Sequence, residues 1–172
     1  MATQSLSYAD TADTVALTIT LASLATDANL LTGRESTVVD NTSNLYLDAM
    51  LTGLITTGTS PTAGVIEIWG YLPSRIVTST ATYHDVLDGT DSAETIGSDE
   101  EKYKLPLLAS IATNANSDEP YPVLITSLAK AFGGYFLPTH WGVFITHNTA
   151  VNLNATAGNH YLHYQGIKLS SA

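Results

Sequence analysis

The chain has no cysteine, and among its 172 residues there are only two methionines and two tryptophans. Without thiols there is no disulfide, no thiolate metal ligand and no cysteine nucleophile, so the fold rests on packing and hydrogen bonds alone. Basic residues are also scarce: six Lys and Arg stand against sixteen Asp and Glu, a formal net charge of −10. Arg34, Arg75, Lys102, Lys104, Lys130 and Lys168 are scattered and form no basic patch interleaved with aromatics. The resulting field opposes approach to nucleic-acid phosphates and to anionic lipid. Charge of either sign is thin, at 13% of residues against the roughly 25% usual in globular domains. No apolar run approaches the about 18 residues of a membrane span. The opening MATQSLSYADTADT has no basic stretch followed by an apolar one, which predicts a chain made in a cytoplasm without a signal peptide.

What is present is a polar surface of Thr, Ser and Asn, residues that hydrogen-bond backbone in turns or, for Thr, pack on a pleated sheet. The length suits one domain that builds its own core. In 14–22 Val15, Leu17, Ile19 and Leu21 alternate with Ala16, Thr18 and Thr20, the period of a half-buried strand. A second strand is predicted over 44–51. The segment TTGTSPTAG, 56–64, has the composition of a sheet connection. After it, VIEIWGYLP sends Ile66, Ile68 and Gly70 to one face and Val65, Glu67, Trp69 and Tyr71 to the other, as a central strand does, and Pro73 closes it. Further strands are predicted in KLPLLASIA, PVLITSL, WGVFITH and HYLHYQGIKL. Between them, 74–101 is acidic and poor in large apolar residues, which predicts an exposed excursion. One short helix is expected over 127–132, capped by Ser127 and ended by Gly133 and Gly134 in the left-handed conformation. The expected architecture is all-β: an antiparallel β-sandwich or jelly roll of about eight strands with one short helix. A flexible N-terminal arm is expected over 1–12 and a single domain over 13–172.

Chemistry is harder to find. The histidines His84, His140, His147, His160 and His163 invite a metal site, but His160 and His163 are three apart and point to opposite faces of a strand. His147 and His163 meet only if the last two strands pair in the right register. Asp85, Asp88, Asp91 and Glu94 surround Gly89 in a way that superficially suits a hard cation, yet they lack the ligand order of a helix-loop-helix calcium site and read as a solvated acidic loop. No G-x-S-x-G elbow or phosphate-binding glycine loop occurs. Asp48 and Glu67 are the one obvious carboxylate pair for glycoside hydrolysis. Trp69, Tyr71, Tyr135 and Trp141 offer a sugar-stacking platform if exposed together, and core positions otherwise. These residues predict no catalytic, cofactor-binding or metal site, no cofactor and no enzyme, but a protein that acts by binding or assembling.

Three stretches, LTGRESTVVDNTSNLYLDAMLTGLITTGTSPTAGVIEIWGYLPS, DVLDGTDSAETI and LPTHWGVFITHNTAVNLNATAGNHYLHYQGI, cover more than half the chain. Together they resemble small jelly-roll virion structural proteins of tailed bacteriophages. The resemblance implies a head decoration or cement protein that binds and stabilises the capsid shell, or a tail component such as a fibre, baseplate or adaptor protein. It implies major capsid protein or other virion subunits as partners, a homo-oligomer (a trimer by expectation), and residence in the virion, with no nucleic-acid or membrane partner. It supplies no functional residues at named positions. A carbohydrate-binding module is the alternative of a different class, and an exposed Trp69 or Trp141 would favour it.

Overall fold

The structure is a computed structural model that describes residues 4–9, 15–77 and 80–171. The described residues form thirteen strand segments, two one-turn α-helices and a 3-10 turn at Ala157–Asn159. In chain order the first strands are β1 (Gln4–Tyr8), β2 (Val15–Ala16), β3 (Thr32–Glu35), β4 (Val39–Asp40), β5 (Asp48–Thr56), β6 (Val65–Tyr71), β7 (Arg75–Val77) and β8 (Thr80–Thr82). Then follow β9 (Ala93–Thr95), α1 (Asp99–Lys102), β10 (Leu107–Ala112), β11 (Pro120–Ile125), α2 (Leu128–Ala131), β12 (His140–His147) and β13 (Tyr161–Ser171).

The strands make two antiparallel sheets. Sheet I runs β1-β13-β5-β11, with β2 also paired to β13; sheet II runs β10-β6-β12-β3-β9, with β4 also paired to β12. A separate hairpin joins β7 to β8. The period of two decides which side chains meet between the sheets. From sheet I come Ala49, Leu51, Ile55, Val123, Leu162 and Tyr164, and from sheet II Ile66, Ile68, Trp141, Val143 and Ile145, all in one buried cluster. Each Leu or Ile that is fully buried there contributes roughly 1.5–3 kcal/mol. The all-β antiparallel sandwich expected from the strand pattern is the observed architecture.

The opposite side of sheet II carries a second, smaller core. Trp69, Tyr71 and Phe144 project outward from β6 and β12 and are covered by Leu87, Ile96 and Leu105. The acidic segment was expected to be an exposed excursion, and this expectation is corrected: it folds back over sheet II, and Leu87, Gly89 and Ile96 are buried. The expectation of one helix is corrected too, because α1 forms inside this segment. Its Ser98 accepts from the Glu101 amide, and Asp99, Glu100 and Glu101 fill the first turn, the arrangement that caps orphan amides and favours the helix dipole.

Other local readings shift by a few residues. Of the strand predicted over 14–22, only Val15–Ala16 pairs with β13, and Thr14 lies outside the described residues. Leu17 still donates to Leu162 in sheet I, but the Thr18 carbonyl accepts from Thr37 on the side of sheet II. The alternation therefore marks a crossing between sheets, and Leu17 and Leu21 are buried in it. The strand predicted over 44–51 starts later, at Asp48, and runs through Gly53 to Thr56. Asn41 delays it by bonding both the N–H and the C=O of Tyr46. The helix after Ser127 is present as α2, with the Lys130 amide donating to the Ser127 hydroxyl. Gly133 takes the left-handed conformation at φ 79, whereas Gly134 does not. Within the arm expected over 1–12, Gln4–Tyr8 pairs antiparallel with β13, and residues 1–3 and 10–12 lie outside the described residues.

Candidate functional site

Polar chemistry concentrates where the acidic segment is clasped to sheet II. Glu35 points outward from β3 yet is fully buried beneath that segment. Its carboxyl accepts from the amides of Asp88 (3.0 Å) and Gly89 (3.1 Å), and the Ser92 hydroxyl, 3.1 Å away, shares its one proton between Glu35 and Glu94. Gly89 is required here: its φ is +83 and a Cβ would strike the Tyr83 ring. Burial pushes the Glu35 carboxyl up to about 7, helped by the facing Asp88 carboxylate and opposed by the two amides. One residue away, Arg34 donates to Asp91, which also accepts from Thr20, and these donors hold Asp91 below the usual range against the effect of burial. A second clasp is the nearly buried Lys102, whose ammonium reaches the Leu30 carbonyl at 3.2 Å and Glu67 at 3.4 Å, over the Trp69 ring.

The acidic residues singled out in the sequence do not act as one group. Asp85 accepts from the Gly97 amide and Asp91 pairs with Arg34, while Asp88 and Glu94 come together with Glu35, each offering an oxygen within 4.8 Å of the others. Both Glu35 oxygens already accept hydrogen bonds, and Glu94 and Asp88 accept from Ser92 and Thr90. The trio is built as a hydrogen-bonded tether for the loop. Glu35 was missed by sequence reading; its signal was a single carboxylate at a strand position facing a segment rich in backbone turns.

The five histidines sit on separate duties. His147 is buried, with Nε2 at the Leu24 carbonyl and Nδ1 at the Thr149 hydroxyl, and burial lowers its pKa. His160 Nδ1 accepts from the Thr56 amide, so Nε2 carries the proton given to Asn154 and the ring is neutral. His84 lies against Glu101, His140 against Asp40, and His163 against Tyr161. The two last strands belong to different sheets, so His147 and His163 are not brought together by pairing. Asp48 and Glu67 are likewise in different sheets, the first accepting from the Ala49 and Ala129 amides, the second from Trp69 and Lys102. They cannot flank one glycosidic bond as an acid and base must. Of the four aromatics, Trp69, Tyr71 and Trp141 are buried and Tyr135 alone is exposed, so they form no joint platform. A shallow cleft of about 500 Å³ opens between the β7–β8 hairpin and β12, with Asp40, His140, Tyr83 and Ile76 on its walls.

A further organised surface is the outer face of sheet I. Along β13 the outward positions are Tyr161, His163, Gln165, Ile167 and Leu169, and in the ladders they meet Leu54, Thr52, Met50 and Asp48 of β5 and Tyr8 and Leu6 of β1. On β11 the outward residues are Pro120, Pro122 and Leu124. The only charged side chain among these positions is Asp48, which is bound by two amides. All sixteen acidic residues fall within 1–119, and 120–172, which supplies β11 and β13, contains none. No protein-family model matches the chain, and no curated protein matches it.

Proposed function

We propose that this chain is a virion structural protein of a tailed bacteriophage, a head decoration or cement protein that binds and stabilises the capsid shell. The observation that carries the reading is the division of the sandwich into an acidic, self-covered side and a nearly uncharged, bare sheet face. A subunit that assembles with others needs one desolvable face and a charged remainder that stays in solvent. The strand order supports it. With β1 and β2 taken as one position, β2-β13-β5-β11 over β3-β12-β6-β10 is the interleaving of two Greek keys that we read as a jelly roll, the fold implied by the resemblance. Weak contacts of such subunits, repeated over a symmetric shell, add up through multivalency.

Copy counting on purified particles tests this. The decoration reading expects on the order of hundreds of copies per particle, and shells stripped of the protein that lose resistance to heat or low salt. About six or a dozen copies would move the protein to the tail as a fibre, baseplate or adaptor subunit. Absence from the particles would overturn both placements.

A further inference from the structure

We infer that the outer face of sheet I is the contact surface between two copies of this chain, packed face to face. This names a partner for the face on which the assembly reading above rests. Leu6, Tyr8, Leu124, Tyr161 and Leu169 are each 47–68% exposed on it. In register Leu6 meets Leu169, Tyr8 meets Ile167, and Leu54 lies between Pro122 and Tyr161, so apolar groups recur in successive rows across the strands, interspersed with Thr52, His163, Gln165 and Asp48. Single exposed apolar residues are ordinary, but several gathered on one weakly charged sheet face mark an interaction site.

Charge selects the occupant. The chain carries −10 overall, so two copies repel one another at most approaches. Among the described residues, sheet I is where that repulsion is least, since Asp48 is the sole carboxylate on its strands and Lys168 stands at a ladder position opposite Ser7, on the other side of the sheet. A basic partner finds no acidic partner on this face, whereas a second uncharged face matches it. Four strands at ~4.8 Å spacing, averaging about eight residues of ~3.3 Å, give each copy a patch on the order of 500 Å². Two such patches reach about the 1,000 Å² at which specific contacts begin. The β11 edge is guarded against a competing route: Pro120 and Pro122 leave it without two of its outward amide donors, which opposes strand addition there. The copies therefore stack as two sheets of a sandwich do, ~10 Å apart.

Sedimentation equilibrium of the full chain at high micromolar concentration tests the assignment, with the variants Leu124→Glu/Tyr161→Glu and, on the β10 edge of sheet II, Leu107→Glu. The expected result is a wild-type dimer, a dimer for Leu107→Glu, and association weakened on the order of 100-fold or more for the double variant. Thermal unfolding of the double variant within a few degrees of wild type shows that its fold is intact; Leu124→Ser/Tyr161→Ser serves in its place if it is not. A wild-type monomer, or an association that the double variant leaves unchanged, overturns the inference. A monomer that still coats particles, and is released from them by the double variant, gives the face to the shell, which overturns self-association and leaves the decoration reading standing.

Discussion

The two sheets have opposite outer faces. Sheet II turns Trp69, Tyr71 and Phe144 outward and covers them with its own chain, while sheet I turns Leu124, Tyr161 and Leu169 outward and leaves them exposed. The acidic segment is the difference. It is tied down by Glu35, Arg34 and Lys102, each reaching a partner more than thirty residues away. Covering one face internally brings the carboxylates to that side, and the face left open is the one with almost no charge. A protein needing only solubility gains nothing from this division; a subunit that must be soluble before assembly and adhesive afterwards does.

The largest effect that separates the faces is expected from matched truncations. Phe144→Ala opens a cavity between sheet II and its cover and is expected to cost about 3–5 kcal/mol in chemical denaturation. Leu124→Ala, on the bare face, is expected to stay within about 0.5 kcal/mol in the isolated chain. Equal costs at the two positions would mean that sheet I is covered as well. Lys102→Ala comes next: it leaves Glu67 and the Leu30 carbonyl without their buried cation and is expected to cost about 2–3 kcal/mol. Lys102→Met, which keeps the packing on Trp69 but not the charge, is expected to recover less than half of that.

The cover also responds to pH through Glu35. Its pKa rises on folding, from an ordinary 4.5 to about 7, so the folded state binds more protons than the unfolded one between these values. The associated stability is complete below pH 4.5, declines as pH rises, and is gone above pH 7, a difference of about 3 kcal/mol. Asp91 acts in the opposite sense: burial raises its pKa, but bonds from Arg34 and Thr20 outweigh this and lower it, so its contribution is lost as pH falls below its usual range. Glu35→Gln is expected to flatten the decline between pH 4.5 and 7 in denaturation curves, and to make hydrogen exchange at the Asp88 and Gly89 amides insensitive to pH beyond the intrinsic chemistry. A slope that survives the substitution would place the titration elsewhere.

Much of sheet I and the centre of sheet II was legible in sequence because period two survives wherever both ladder partners and one core face are present: Ile66, Ile68 and Gly70 point inward as the alternation requires. The cover was not legible, since Leu87 and Ile96 are isolated apolar residues among carboxylates and have no period to announce them. The charge pattern that makes 74–101 look solvated is the same one that caps α1 and ties the loop to Glu35. Glu35 itself looks like any polar strand residue until the distant segment arrives above it. Pairing across such separations is a tertiary fact, invisible to local periodicity. The bare face left a global trace instead, the absence of any carboxylate after Glu119.

The smallest expected effect on stability sharpens the difference between face and edge. Pro120 and Pro122 occupy outward positions of β11, the outermost strand of sheet I, and pair opposite Thr56 and Leu54 without offering an amide to a further strand. Pro122→Val restores a donor at a position whose φ already suits a strand, so the isolated fold is expected to change by less than about 1 kcal/mol. Its consequence lies between molecules. Valine has high β-propensity, and an edge with a restored donor beside the exposed Leu124 can template strand addition. Light scattering during storage at high concentration is therefore expected to show open-ended aggregation in Pro122→Val, whereas the wild type stops at a closed assembly. If the variant aggregates no faster than the wild type, the edge is guarded by something other than the missing amides, and association by the flat face loses the structural reason for which it is favoured over association by the edge.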